Sequence, residues 1–186
     1  TNDYSHIINH SGARCMIISS HELCVKALPA LEKSNQCKNV IKINEDDNKY
    51  KEPINIISWN SLLKNNTNGD FNFEEETKST KRSDTACIIY TSGTGGEPKG
   101  VILSHGGILN NLEGACEIMK PLIDSRPVFL TWLPLSHSYE HCVQFAQIAV
   151  GAKVFYAEKI EKLLDNISEA KPTIMTAVPR FYQNLY

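Results

Sequence analysis

The 186-residue chain carries 19 Lys plus Arg against 21 Asp plus Glu, a formal charge of −2, with 41% hydrophobic and 22% charged residues. This balance excludes a basic nucleic-acid stripe, a disordered or fibrous polymer and a disulfide-stapled miniprotein, and the length suffices for an ordinary core. No uncharged stretch reaches the roughly 18 residues of a membrane span. The opening Thr1-Asn2-Asp3-Tyr4 is neither a signal peptide nor an initiator Met, so the chain is expected to begin inside a longer one.

Residues 2–11 predict a short helix with Ile7 and Ile8 inward and Gly12 as its stop, followed by Cys15 to Ile18 as a buried strand. His21 to Lys33 reads as a helix that Pro29 should end or kink. Val40 to Ile43 is the second strand, completing a βαβ beginning. Ile54, Ile56 and Ile57 alternate weakly before a helical turn at Trp59 to Leu63. From Asn65 to Asp84 the only large apolar residues are Phe71 and Phe73, which predicts a solvated linker with the Glu74 to Glu76 charge run facing water. The chain is thus expected to divide into an N-terminal βα segment, 1–64, a linker, 65–84, and an α/β segment, 85–186.

In the last segment the pattern sharpens. A strand at Ala86 to Tyr90 leads into a glycine-rich loop, a strand at Val101 to Leu103, and a helix opened by Ser104 that runs to about Lys120. Val128 to Trp132 is a strand. Ser136 to Val150 is a helix apolar over most of its circumference, hence expected to be buried, with Gly151 as its stop. Lys153 to Tyr156 is a strand, and Ile160, Leu163, Leu164 and Ile167 give the stripe of an amphipathic helix. Thr173 to Val178 is the next strand and Pro179 opens a helix. Alternation of this kind predicts an α/β fold, a mostly parallel sheet with flanking helices.

The six cysteines, Cys15, Cys24, Cys37, Cys87, Cys116 and Cys142, show no paired zinc or redox spacing and read as free thiols, which fits a cytoplasmic location. In that setting the glycosylation-like triplets at Asn65 and Asn166 carry no meaning. His6 and His10, spaced i, i+4 on a short polar helix, are expected to face solvent, and nothing demands a role for His105.

The densest chemical signal is Tyr90-Thr91-Ser92-Gly93-Thr94-Gly95-Gly96-Glu97-Pro98-Lys99-Gly100, directly after a β-branched strand. The hydroxyls of Thr91, Ser92 and Thr94 donate to phosphate oxygens, Gly93, Gly95 and Gly96 let backbone N–H groups approach, and Lys99 adds a point charge. The run is not a Walker loop, because no Gly-Lys-Ser/Thr occurs, and Pro98 stands where a dinucleotide fingerprint needs its third glycine. A ligand-free hairpin is the bland alternative, and the order of residues within the run argues against it.

A second motif competes. His137-Ser138-Tyr139-Glu140-His141 spells the inverted zinc-protease pattern with two imidazoles at i and i+4. The same letters arise by chance in about one such chain in seventy. A third ligand is also needed, and nothing singles one out among Glu158, Glu161 and Glu169.

Residues 90–100 resemble the signature loop of the AMP-forming adenylating enzymes, Tyr-Thr-Ser-Gly-Thr-Thr-Gly-x-Pro-Lys-Gly, at every defined position except Gly95, where most members carry threonine. Trp132-Leu133-Pro134-Leu135-Ser136-His137 is similar to the family's substrate-pocket segment, and Val178-Pro179-Arg180-Phe181-Tyr182 to a strand-to-helix segment of long-chain fatty acyl-CoA synthetases. The resemblance implies a fragment from the N-terminal part of the large domain. Its reaction converts ATP, fatty acid and coenzyme A to acyl-CoA, AMP and pyrophosphate. It assigns Thr91, Ser92, Gly93, Thr94, Gly95, Gly96 and Lys99 to the ATP phosphates and places His137 beside the acyl and adenylate pocket. The family's acidic Mg²⁺ residue, ribose-binding Asp and C-terminal catalytic Lys would lie in absent sequence, so the fragment alone is expected to be inactive and to hold no bound cofactor. Small molecules, not nucleic acid, are the implied partners, with peripheral membrane association only in the full-length protein. A non-catalytic remnant or binding module of the same fold is the alternative.

Overall fold

A computed structural model describes residues 2–44, 54–64, 72–92, 96–123 and 126–183. The chain divides into two compact units, Thr1–Ser79 with Tyr90–Val101, and Thr80–Ile89 with Ile102–Tyr186.

In the first unit, helix α1 (Asn2–Ser11) leads to strand β1 (Cys15–Ile18), helix α2 (His21–Lys33), strand β2 (Asn39–Lys42), strand β3 (Asn55–Ser58) and the short helix α3 (Trp59–Lys64). The three strands form a parallel sheet in the order β1-β2-β3, with Val40 of the central strand opposite Met16 and Ile56. Ile8, Ile18, Ala27, Leu31, Val40 and Ile54 close the core, and Cys24 and Cys37 serve in it as small apolar residues. Burial, followed by the nearby Cys15, pushes the Cys37 thiol up. All six cysteines are free.

The expectation of a wholly buried first strand is corrected: Cys15 is exposed and Ile17 is 59% exposed, while Ile18 is buried. Successive side chains point to opposite faces of a strand, and among the described residues of this unit the face bearing Met16 and Ile18 is the covered one. Pro29 does not end α2, which runs on to Lys33. Its own side chain is exposed, as is that of Val25, whose carbonyl loses the helical partner, so solvent can satisfy that group. The segment expected to be linker contains helix α4 (Phe73–Ser79), which buries no residue; its acidic first turn, Glu74 to Glu76, suits a helix N-terminus. Residues 65–71 lie outside the described part.

Strands β4 (Thr85–Thr91) and β5 (Lys99–Ser104) pair in a two-stranded sheet. The connection between them is too short for a parallel crossover, so they form the expected strand, loop and strand. Helix α5 (His105–Met119) follows, and Ser104 caps it by accepting the Gly107 N–H at 3.1 Å.

The second unit continues with strand β6 (Val128–Thr131), helix α6 (Ser138–Ala149), strand β7 (Lys153–Tyr156), helix α7 (Leu163–Ala170), strand β8 (Ile174–Met175) and helix α8 (Pro179–Gln183). Its parallel sheet has the order β7-β6-β8, with Phe129 between Val154 and Ile174. Gly151 stops α6 at φ +63°, a conformation with little steric cost only for glycine. Two expectations are corrected here. Helix α6 is not buried all round: Ile148 is 68% exposed and Tyr139 is exposed, whereas Glu140, Ala146 and Gln147 are buried. The stripe at residues 160–167 is also uneven, since Leu163 is buried and Ile160 and Leu164 are exposed.

Two glycines of α5 make a test of this packing. A Cβ on Gly106 would meet the Arg82 carbonyl oxygen at 2.9 Å, the same atom that accepts the Gly106 N–H, whereas a Cβ on exposed Gly114 meets nothing within 4 Å. Gly114→Ala is therefore expected to stabilise the protein by about 0.5–1 kcal/mol through helix propensity. Gly106→Ala is expected to destabilise it by about 1–3 kcal/mol, because the obstructing atom is backbone. Urea midpoints of the two variants check the opposite signs.

Candidate nucleotide site

The glycine loop leaves β4 at Thr91 and returns into β5 at Lys99. Thr91 and Ser92 are exposed, and among the described residues their hydroxyls hold no hydrogen bond. Gly93, Thr94 and Gly95 lie outside the described residues. Gly96 has φ +110° with open space around its Cβ position, so backbone conformation and not crowding calls for glycine there. Lys99 is exposed, and no carboxylate pairs with it among the described residues. Hydroxyl donors and a cation that hold no partner among the described residues suit an anionic ligand.

The flanks of the loop are held by residues whose role the sequence reading missed. His6 Nε2 lies 2.8 Å from the Pro98 carbonyl oxygen and its Nδ1 lies 3.0 Å from Glu97 Oε2. His10 Nδ1 lies 2.8 Å from the Tyr90 hydroxyl. The expectation of solvent-facing histidines is therefore corrected: the His6 side chain is only 18% exposed, and His10, although exposed, is bonded to the loop. The i, i+4 spacing was the available signal, since it sets both rings on one face of α1.

In the second unit, the order β7-β6-β8 makes β6 the point from which the chain departs first to one side and then to the other. Ligands of open α/β sheets gather outside the carboxyl ends of strands at such a point. The segments leaving this edge are Trp132 to His137 after β6 and Thr176 to Val178 after β8. Trp132 Nε1 donates to the Thr176 carbonyl at 2.7 Å, and its ring packs on Phe181 with centroids 5.1 Å apart. Helix α6 fastens the same edge from above. Gln147 Nε2 donates to Thr131 Oγ1 at 3.0 Å, and the Thr176 hydroxyl donates to Glu140 Oε2 at 2.8 Å. Thr176 is thus engaged through both its carbonyl and its side chain.

His137 is exposed and caps α6, its Nδ1 accepting the Tyr139 N–H at 3.2 Å. His141 Nδ1 is 3.3 Å from the Leu135 carbonyl, which only accepts, so Nδ1–H donates there and Nε2 faces the Cys87 thiol at 3.6 Å. Glu140 is fully buried and turned toward Thr176. The donor atoms of the inverted zinc motif therefore point to three different partners, and among the described residues no three His, Cys, Asp or Glu side chains converge on a metal-binding position. The zinc-protease alternative is not favoured by this geometry.

These features define an α/β protein with parallel sheets, and comparison with known proteins gives the class. The family model for AMP-binding enzyme matches residues 1–186. The chain belongs to the AMP-binding enzyme family. Long chain acyl-CoA synthetase 2 of Arabidopsis thaliana is 31% identical over 194 aligned positions, covering 97% of this chain and 28% of that protein. Among solved structures, the luciferase-like enzyme of the mealworm Zophobas morio superposes with a TM-score of 0.69 at 18% identity, over 97% of this chain and 39% of that one. The o-succinylbenzoate CoA synthetase of Bacillus subtilis in complex with ATP and magnesium ion gives a TM-score of 0.58 at 19% identity, over 99% of this chain and 56% of that one. The fold of this chain is shared with both of these structures. The chain spans only about three tenths of the curated relative it matches along nearly its whole length.

Proposed function

We propose that this chain supplies the ATP-phosphate loop and part of the acyl and adenylate pocket of a long-chain fatty acid–CoA ligase. The observation that supports the reading is that Thr91, Ser92 and Lys99 are exposed and hold no partner among the described residues, in a run that matches the adenylating signature. A carboxylate attacking the α-phosphate of ATP brings an anion to a polyanion, and donors already oriented toward the phosphates lower that barrier because they need no reorganisation. Lys99 contributes the charge, Thr91, Ser92 and Thr94 the hydroxyls, and Gly93, Gly95 and Gly96 close backbone approach. Replacement of the usual threonine by Gly95 removes one hydroxyl and leaves this chemistry in place.

The segments Trp132 to His137 and Thr176 to Pro179 form the acyl and adenylate side in this proposal, at the carboxyl edge of β6 and β8. His137 serves there as a shape and hydrogen-bonding residue, its ring already held at the start of α6. Coenzyme A is the second-step substrate, and the location is cytoplasmic. Among the described residues no helix is long and apolar enough to cross a membrane. Mg²⁺ at such a site is held by one or two carboxylates together with the substrate phosphates, and by resemblance the acidic residue that holds it belongs to further sequence.

The test is exchange of label between pyrophosphate and ATP in the presence of palmitate. The chain alone is expected to stay at background, because by resemblance the ribose-binding Asp and catalytic Lys belong to further sequence. A longer protein carrying it is expected to exchange only when the long-chain acid is added. Exchange by the chain alone, or exchange by the longer protein that ignores the acid, contradicts the proposal. A non-catalytic relative of the same fold would show no exchange in either form.

A further inference from the structure

Helix α6 turns two polar side chains into the interior of the second unit, and each leaves one oxygen without a partner. Glu140 is fully buried and Gln147 is 1% exposed. Glu140 Oε2 accepts the Thr176 hydroxyl at 2.8 Å, and Gln147 Nε2 donates to Thr131 Oγ1 at 3.0 Å. The other oxygen of each head, Glu140 Oε1 and Gln147 Oε1, is also buried and has no hydrogen-bond partner among the described residues. Folded proteins seldom leave such atoms unsatisfied, because the water they lose on folding must be replaced. The geometry draws the two oxygens toward one place. Positions 140 and 147 are two turns apart on one face of α6, separated by about 10 Å along its axis. Their hydroxyl partners lie closer together. Thr131 and Thr176 each follow one of the paired residues Leu130 and Met175 on neighbouring parallel strands, and such strands are spaced about 4.8 Å apart. Two side chains that leave the helix far apart thus end on adjacent threonines and lean toward each other. Thr131, itself 3% exposed, adds a third polar group: its oxygen accepts the Gln147 amide, so its own hydrogen is not committed in that bond.

We propose that Glu140 Oε1 and Gln147 Oε1 share one buried water molecule, which donates a hydrogen to each oxygen and accepts the Thr131 O–H. The ligand follows from the count of donors and acceptors. Two acceptors facing the site call for two hydrogens, and one hydroxyl facing it calls for a lone pair. Water offers both, and three hydrogen bonds are the usual number for a buried water. A monovalent cation would meet the two oxygens but offer nothing to the Thr131 hydrogen. Held in this way, the water fastens α6 to the ends of β6 and β8, from which Trp132 to His137 and Thr176 to Val178 depart. The site lies wholly within the second unit and does not depend on phosphate binding at the glycine loop.

Crystal structures of the chain and of two variants, together with ¹⁷O relaxation dispersion of water in solution, test the site. The wild type is expected to show one density peak within about 2.7–3.2 Å of both oxygens. It is also expected to hold one more long-lived internal water than Gln147→Met, whose thioether removes the amide oxygen at similar length. Glu140→Gln is expected to keep the water, because a water accepts from the new amide N–H as readily as it donates to the carboxylate. Rubidium soaked into wild-type crystals is expected to leave no anomalous peak at the position. A rubidium peak that disappears in Glu140→Gln would make this a cation site, and a donor of the chain itself seated on Glu140 Oε1 would leave the water no place. Either result overturns the proposal, as does a folded Gln147→Met that keeps the wild-type count of long-lived waters. Should Gln147→Met fail to fold, the wild-type density and its retention in Glu140→Gln decide: no peak between the two oxygens, or a peak lost in Glu140→Gln, overturns the proposal.

Discussion

Phe129→Ala is expected to cost about 3–5 kcal/mol of stability, the largest single loss in the second unit. Phe129 is 1% exposed on the central strand β6, opposite Val154 of β7 and Ile174 of β8, so truncation opens a cavity that strands on both sides border. Backbone pairing restricts how far those strands can close the gap, which places the cost toward the upper end for an aromatic residue. Urea unfolding followed through Trp132, in a Trp59→Phe background, measures it. A loss below about 1 kcal/mol would show that β6 is not the centre of that core.

Lys99→Ala is expected to weaken pyrophosphate binding by about ten- to a hundredfold, because one charge-assisted hydrogen bond contributes roughly 1.5–3 kcal/mol. Lys99 is exposed and makes no ion pair among the described residues, so the fold has nothing to lose by its removal. An unchanged circular dichroism spectrum alongside the lost affinity is the expected pair of results. Unchanged affinity would make the segment a bare hairpin.

Much of the fold was legible because strands and caps are local. The β-branched runs at Cys15 to Ile18 and Ala86 to Tyr90 and the serine at position 104 fall where the structure has β1, β4 and the cap of α5. The phosphate chemistry proposed for the glycine loop can be read from sequence for a related reason: its residues are consecutive. What escaped the sequence is set by partners far along the chain. Glu140 and Gln147 are buried on α6 because Thr176 and Thr131, 36 and 16 positions away, meet their side chains at the sheet edge. Apolar periodicity instead favoured Tyr139 and Ile148, which face away from that edge and are exposed.

The same reasoning applies to the histidines. His6 finds Pro98 across 92 positions and His10 finds Tyr90 across 80, distances at which helix periodicity says nothing about partners. Strand β8 is shorter than its sequence pattern because it pairs only at Ile174 and Met175, and the Thr176 carbonyl is taken by the Trp132 indole. A β-branched run predicts extended backbone, but not where the ladder gives way to side-chain bonds.

Amide shifts on titration with ATP, pyrophosphate and AMP test the proposed polyphosphate cradle at residues 91–99 most directly. Three to five hydrogen bonds set against at least ~4 kcal/mol of lost ligand freedom predict millimolar-range binding, near −4 kcal/mol, for ATP and pyrophosphate. The amides of Ser92 and Gly96 are expected to move with both of these ligands, and AMP is expected to bind more weakly. AMP binding as tightly as ATP, or shifts that spare Ser92 and Gly96 and gather elsewhere, would contradict it.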